Sequence, residues 1–420
     1  MKILISCYAC SPYRGSEPGM GWNFISGLAK KGHELYVITE KEKWESDITN
    51  YMKEHLSEYS NVHFYFIKKK RARLLRKIWP PSYYWFYKAW QKKAFQLART
   101  LNNEIDFDII HQLNMVGYRE PGYLWKINKP FIWGPIGGMN FSPINMLSAF
   151  DIRSILFLGG RNIVNWIQMN YYQRPKKAAK KACYVLAATS ETAKTAQVLW
   201  NIKPIVIPEV GTHINKSPNK EQKETDKVDI CWAGQLIVRK ALDILLYAIA
   251  AMKYKSKIHL KVLGDGPCKR KYFNITKQNG LDHIVDFYGN VPLNDAHRII
   301  SESDLFCITS LSDLTSTVLL ESLSAGVPVI APEHCGFKDV ITPECGFLIK
   351  VSNRKKYIMD LAQRLDEIAM NKQILSPMKE MAIKRAETYS WDKKIEKLNN
   401  LYLLSLKKVN CLYQMNNYKG

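Results

Sequence analysis

Acidic residues are scarce in this 420-residue chain. There are 38 Asp and Glu against 61 Lys and Arg, a net charge of +23. Such an imbalance points to an anionic partner: a phosphorylated substrate, an anionic lipid or nucleic acid. Long apolar runs are missing as well. None reaches the ~18–20 residues needed to span a bilayer. The opening MKILISCYAC lacks the longer apolar core and small-residue cleavage site of a signal peptide. It reads as a first β-strand, and the protein is expected to stay in the cytoplasm. Cysteines are few and scattered, nine in all, and the C-x-x-C pair Cys7 and Cys10 has no second pair to complete a zinc site. Both read as semi-buried residues at a strand end. A dinucleotide fingerprint is also missing, because Pro267 breaks the frame after "VLGDGP". Cations and aromatics are present, but no nucleic-acid-binding module accompanies them, so nucleic acid is not an expected partner.

What is present is a repeated α/β rhythm. The composition, 46% apolar and 24% charged, is that of a globular protein, and domains of ~100–200 residues predict two or three of them here. In the first half, strands are predicted near residues 3–7, 34–39, 62–67, 107–110, 131–133, 185–188 and 204–207, with a Gly-rich loop and a helix over 20–31. The polar run "NKSPNKEQKETDKVD" at Asn215–Asp229 then interrupts the pattern and reads as an exposed linker or surface loop. Strands resume near 229–233, 258–263, 284–288, 304–308 and 327–330, with helices over 241–252 and 319–324 and an amphipathic helical tail from about 354 to 408. Strands alternating with helices predict parallel sheets. The expected organisation is one α/β domain over 1–211 and a second over 212–395. A helix and tail over 396–420 would return towards the first. Two such domains would leave a cleft, with ligands beyond the C-terminal strand ends. The charge is uneven, with a net of +15 through Gly211 and +8 beyond it.

The richest stretch is "SDLTSTVLLESLSAGVPVIAPEHCG", from Ser312 to Gly336. Thr309–Thr317 reads as the loop after a strand, with a helix beginning near Thr317. Free N–H groups at a helix start suit phosphate, and small residues let it approach. Glu321, one turn into the helix, suits a vicinal diol such as ribose, and Asp313 in the loop suits sugar hydroxyls. The same residues also suit a capped surface helix. Arg239 and Lys240, between a strand end and a helix start, suit a diphosphate, and equally a solvated helix start. "VLGDGP" is a tight turn where backbone could approach a base or phosphate, and "SPYRGSEPGMGW" is a flexible loop after the first strand.

In order and spacing, these segments resemble the family 4 glycosyltransferases, retaining enzymes of the GT-B fold. The likeness runs through Gly15–Gly21, "DIIHQLN" at Asp108–Asn114, "TSETAK" at Thr189–Lys194, "AGQLIVRK" at Ala233–Lys240 and "LGDGP" at Leu263–Pro267. It continues through "VDFYGNV" at Val285–Val291, "SDLFCITS" at Ser303–Ser310, the acid–x₇–acid pair Asp313 and Glu321, "SAGVPVIA", and "YSWDKK" at Tyr389–Lys394. The resemblance implies two Rossmann-like α/β domains facing each other across a cleft. It also implies transfer of a sugar, with retained configuration, from a UDP- or GDP-linked donor to a glycan or lipid-linked acceptor, in bacterial surface polysaccharide assembly. No metal or other cofactor is expected.

By that resemblance Glu321, with Gly264 and Val291, binds ribose and base. Gln235, Arg239, Lys240 and the Leu314, Thr315, Ser316 and Thr317 backbone hold the diphosphate. Asp313 contacts the transferred sugar, His111 lies near the reacting centre, and Gly15, Glu17 and Gly19 form an opposing loop. The chain departs from the family where Asp313 replaces Glu, Gln235 replaces Arg and Leu113 replaces the second His of H-x-H. Two other readings share the fold, a sugar-nucleotide epimerase and a non-catalytic sugar-nucleotide or membrane-binding scaffold. Lys68–Phe95 opens with seven cations in ten residues followed by aromatics, which suits peripheral attachment to an anionic membrane. Phe150–Lys181 mixes aromatics and cations similarly.

Overall fold

The computed structural model describes residues 1–70, 82–147, 152–213 and 226–417. Most of the expected linker and part of the Lys68–Phe95 segment therefore lie outside the described residues. The chain forms two compact units. One comprises Met1–Asn140, Trp166–Gly211 and Trp391–Gly420, the other Phe141–Asn165 and Thr212–Ser390. Residues 141–165, expected in the first domain, belong to the second, because Met146, Leu147 and Leu158 sit in its core with Ile230, Leu245 and Tyr357. Polar contacts fix the same segment. Arg354 donates to the Met146 carbonyl at 3.1 Å and Asn145 to the Ser352 carbonyl at 2.6 Å.

The first unit is built on seven parallel strands, β1 (Lys2–Cys7), β2 (Glu34–Glu40), β3 (Val62–Ile67), β4 (Ile109–Asn114), β5 (Phe131–Ile136), β6 (Tyr184–Ala187) and β7 (Ile205–Val206). Their spatial order is β3-β2-β1-β4-β5-β6-β7. Helices cover both faces of such a sheet, so β1 and β4 are buried on nearly every residue. Cys7 and Cys10 are fully buried rather than semi-buried. The predicted strand at 107–110 runs on as β4 to Asn114, and Phe131–Trp133 runs on to Ile136.

The predicted loop Gly15–Gly21 is instead almost wholly the start of the helix Ser16–Lys30, which carries Glu17 and Gly19 in its first turns. The predicted helical tail is divided into Arg354–Met370, Ser376–Glu387 and Trp391–Asn417, with a short 3₁₀ turn before the second. Pro377 stands in the first turn of the middle one, where a missing N–H costs nothing. The last helix packs on the first unit. Trp391 meets Phe24 edge-on, with ring centroids 5.3 Å apart, and His33 bonds Asn399 at 2.7 Å.

The second unit has six parallel strands, β8 (Val228–Ala233), β9 (Ile258–Leu263), β10 (Val285–Gly289), β11 (Leu305–Cys307), β12 (Val329–Pro332) and β13 (Gly346–Ile349). Their order is β10-β9-β8-β11-β12-β13. β13 has no counterpart among the predicted strands. In each unit the order reverses beside its first strand, between β1 and β4 and between β8 and β11. Loops leave the sheet in opposite directions there and open a crevice at the C-terminal strand ends.

His111, expected near the reacting centre, lies inside β4 with no exposed surface. Its Nδ1 is 2.7 Å from the Tyr402 hydroxyl and its Nε2 is 2.8 Å from the Gly134 carbonyl. A neutral ring fits both partners, donating from Nε2–H to the carbonyl and accepting at Nδ1 from the hydroxyl. Neither nitrogen is left for a substrate, so this histidine ties β4 to β5 and to the C-terminal helix. Burial pushes its pKa down to about 4, opposed by the Gly134 bond. The unfolded chain therefore binds more protons between pH ~6.5 and ~4, and stability should fall as pH drops through that window, by about 3 kcal/mol in all. Denaturant midpoints at pH 7 and pH 4.5 should diverge less in His111→Phe than in the wild type. Equal divergence would show that His111 does not titrate as its burial requires.

Candidate functional site

The site is built where β8 and β11 part. After β8 the chain passes Gly234 and enters a short 3₁₀ turn, Val238–Lys240. After β11 it runs through Ile308–Ser316 into the helix Thr317–Ser324. Hydrogen bonds join the two loops. Leu311 N–H donates to the Arg239 carbonyl at 2.8 Å, the Thr309 hydroxyl to the Lys240 carbonyl at 2.8 Å, and Arg239 Nη1 to the Ser312 carbonyl at 2.9 Å. Trp232 Nε1 in turn donates to the Thr309 hydroxyl at 3.0 Å. The backbone carrying the cations is thereby fixed.

Lys240 Nζ donates to Asp313 Oδ2, and Arg239 Nη1 lies 3.8 Å from the same oxygen. Ser310 Oγ approaches it at 3.4 Å. The residues expected to hold a diphosphate and a sugar are thus brought together, with one carboxylate between two cations and a surplus positive charge. Gln235 is exposed at the edge of this group. A small cavity of about 10 Å³ lies among Lys240, Ser310, Ser316 and the strand ends, room for about one water-sized group.

Thr315 and Ser316 are buried, and Ser316 caps the helix Thr317–Ser324 without a side-chain hydrogen bond, so its first-turn N–H groups have no cap from that side chain. Leu314 and Thr315 are braced from behind. Gly336 N–H donates to the Leu314 carbonyl at 3.0 Å, and a Cβ on Gly336 would stand 2.6 Å from Thr315 Oγ1. Glu321 projects from the same helix. Its Oε1 lies 3.6 Å from Nε2 of His297, on the helix Leu293–Ser301. Burial raises the Glu321 carboxyl, and His297 pulls it back. No sequence signal marked His297. Its helix reads only as amphipathic, and the pairing arises from tertiary packing.

Two expectations change. Gly264 does not open backbone to a ligand. Its φ is +118°, and a Cβ there would lie 2.0 Å from the Gly234 carbonyl oxygen. The freed space is filled by the loop after β8, and Gly266 meets Leu236 in the same way. Val291 lines a separate depression of about 330 Å³ with Lys261, Tyr288, Asp295, Arg298 and Glu302. In the first unit, Glu17 accepts from Val116 N–H at 2.7 Å and its carboxyl is raised by burial. A Cβ on Gly19 would lie 2.3 Å from the Arg14 carbonyl oxygen. Gly15 has open space around it. Among the described residues, no three His, Cys, Asp or Glu side chains converge as metal ligands.

Residues 213–387, which hold Arg239, Lys240, Asp313, Glu321 and His297, match the family described as glycosyl transferases group 1. The part of this chain that resembles a glycosyl transferases group 1 domain is thus under half of its length. The family 4 likeness read from the sequence fits that domain. The putative teichuronic acid biosynthesis glycosyltransferase TuaC of Bacillus subtilis is 29% identical over 185 residues, 42% of this chain and 45% of that one. The chain spans about half the length of the curated relatives it matches. Among solved structures, the lipopolysaccharide outer core galactosyltransferase WaaB superposes with a TM-score of 0.66 at 16% identity, over 96% of this chain and 99% of that one. Anabaena Alr3699/HepE in complex with UDP gives 0.62 at 16%, over 95% and 99%. These likenesses show the GT-B fold, two Rossmann-like α/β domains.

In the group 1 domain, Gly264→Ala should cost about 3 kcal/mol or more, since both backbone conformation and space oppose a Cβ. Gly15→Ala, with open space around it, should stay within about 0.5 kcal/mol. Urea midpoints measure both, and a neutral Gly264→Ala would refute the packing of the two loops.

Proposed function

We propose that this protein is a retaining glycosyltransferase. It would move a sugar from a nucleoside-diphosphate sugar to a hydroxyl of a glycan or lipid-linked acceptor in surface polysaccharide assembly. One observation carries the reading: Lys240, Arg239 and Asp313 converge at the strand-order reversal of the group 1 domain, beside a helix start and with Glu321 one turn along. The relatives support it. TuaC is named for teichuronic acid biosynthesis, and HepE was crystallised with UDP and with UDP-glucose.

In this reading the diphosphate meets Lys240, Arg239 and the N–H groups opening the helix Thr317–Ser324. Lys240 has three donors, so it can hold a phosphate oxygen while keeping Asp313. As the glycosidic bond stretches, negative charge grows on the departing diphosphate and positive charge on the sugar. Fixed cations stabilise the first more in the transition state than in the ground state. Asp313 is assigned to the sugar hydroxyls and Glu321 to the ribose diol. Gln235, exposed beside the cations, is assigned to the diphosphate with them. The acceptor attacks on the face the diphosphate leaves, which retains configuration. Charge neutralisation is assigned to side chains rather than to a metal.

Purified protein should show a raised melting temperature with one class among UDP- and GDP-sugars, because the ligand binds only the folded state. Lys240→Met should weaken that donor, or slow transfer to a labelled acceptor, by about 10–150-fold, the worth of one charge-assisted contact. Glu321→Ala should abolish the thermal shift while leaving the unliganded melting temperature nearly unchanged. Unchanged product formation in Glu321→Ala would refute the site. Isomerised donor in the absence of acceptor would favour the epimerase reading instead.

A further inference from the structure

The helix Ile152–Tyr171 buries one face and leaves the other bare. Leu158, Asn165 and Met169 point inward. On the opposite side Leu156 and Phe157 are each 70% exposed and Ile163 is 62% exposed, joined by Ile152, Val164, Ile167 and Tyr171. The spacing 152, 156, 163, 167 puts these side chains on one stripe. Over 20 residues the stripe is about 30 Å long. Soluble helices turn charge outward, and this one turns aliphatic and aromatic groups outward. An apolar strip of this size marks an interaction surface.

We propose that this face lies in an anionic lipid surface, with the helix axis parallel to the membrane plane. Charge selects the occupant. The only charged residues of the helix are Arg153 and Arg161, both exposed. From Ile152 to Ser190 the chain has seven cations and no acid. Apolar groups that enter the interface beside cations that meet anionic headgroups form the pattern of an in-plane membrane helix. Trp166 and Tyr171, 5.9 Å apart edge-on, add amphipathic rings suited to that depth. A second copy of this chain is disfavoured, since pairing two such faces would bring like charges together. Among the described residues no helix is long and apolar enough to cross a membrane, so the contact is peripheral.

Co-sedimentation tests the proposal with the full chain. Wild-type protein should bind phosphatidylcholine vesicles containing phosphatidylglycerol, bind pure phosphatidylcholine vesicles at least about tenfold more weakly, and lose affinity in high salt. The combined variant Leu156→Ser, Phe157→Ser and Ile163→Ser should lose at least about tenfold in binding to the anionic vesicles. Its melting temperature should be unchanged, since those side chains are exposed. Its thermal response to nucleotide sugars should also be unchanged, which separates this proposal from the donor-site reading. Arg153→Glu should weaken binding to anionic vesicles and leave the melting temperature alone. Absence of wild-type binding, or equal binding by the triple variant, would overturn the proposal. So would a wild-type dimer that the triple variant converts to monomer without any vesicle binding.

Discussion

A single carboxylate, Asp313, organises the candidate site by holding two cations that would otherwise repel. Lys240 and Arg239 are adjacent in sequence and converge on one side of a crevice. Two like charges this close are tolerable when an acid stands between them. The acid belongs to the loop after β11 and the cations to the loop after β8, so the pairing also fixes the two loops to each other. Three backbone and side-chain hydrogen bonds beside it do the same work, each worth about 1 kcal/mol. The surplus of one positive charge then sits in a fixed place, which is the condition for stabilising charge that develops on a leaving group.

Behind the charged layer stands a layer of glycines. Gly264 and Gly266 let the turn after β9 lie against Gly234 and Leu236, and Gly336 lets the turn after β12 lie against Leu314 and Thr315. None of these glycines needs a ligand to explain it. They set the height and direction of the loops that carry Arg239, Lys240 and Asp313. A glycine-rich turn at a strand end is therefore compatible with two roles, ligand approach and loop-on-loop packing, and here the 2.0 Å approach to the Gly234 carbonyl decides for packing.

Much of this was legible in the sequence because parallel sheets write continuous apolar strands between turn signals. Twelve of the thirteen strands carry such a signature in the first pass along the chain, β3 and β9 with the same ends. β13 was missed because "GFLI" is four residues after a Cys and has no alternation. Residues 141–165 were assigned to the wrong unit because their local pattern says only that they are apolar. Which core they enter depends on Met146 and Leu158 meeting strands nearly a hundred residues away. Asp313, Arg239 and Lys240 were nominated by charge and loop position and Glu321 by its place one turn into a helix, and the resemblance supplied their roles. His297 was not, since its partner Glu321 is supplied by another helix. His111 was nominated by the resemblance, at the H-x-H position, and only the positions of Tyr402 and Gly134 reveal that its two nitrogens are already used.

The charge excess read at the outset also divides differently once residues have places. The candidate diphosphate site accounts for a net of one positive charge, two cations less one acid. That leaves nearly all of the +23 elsewhere. The stretch from Ile152 to Ser190 alone holds seven cations without an acid, and it is there that a bare apolar helix face occurs. One anionic partner cannot explain both facts. A diphosphate is a small dianion and needs a few directed donors. A charged lipid surface needs many cations, loosely placed, next to groups that leave water. The sequence contains both patterns in separate segments, so its basicity is better read as two recognition problems than as one.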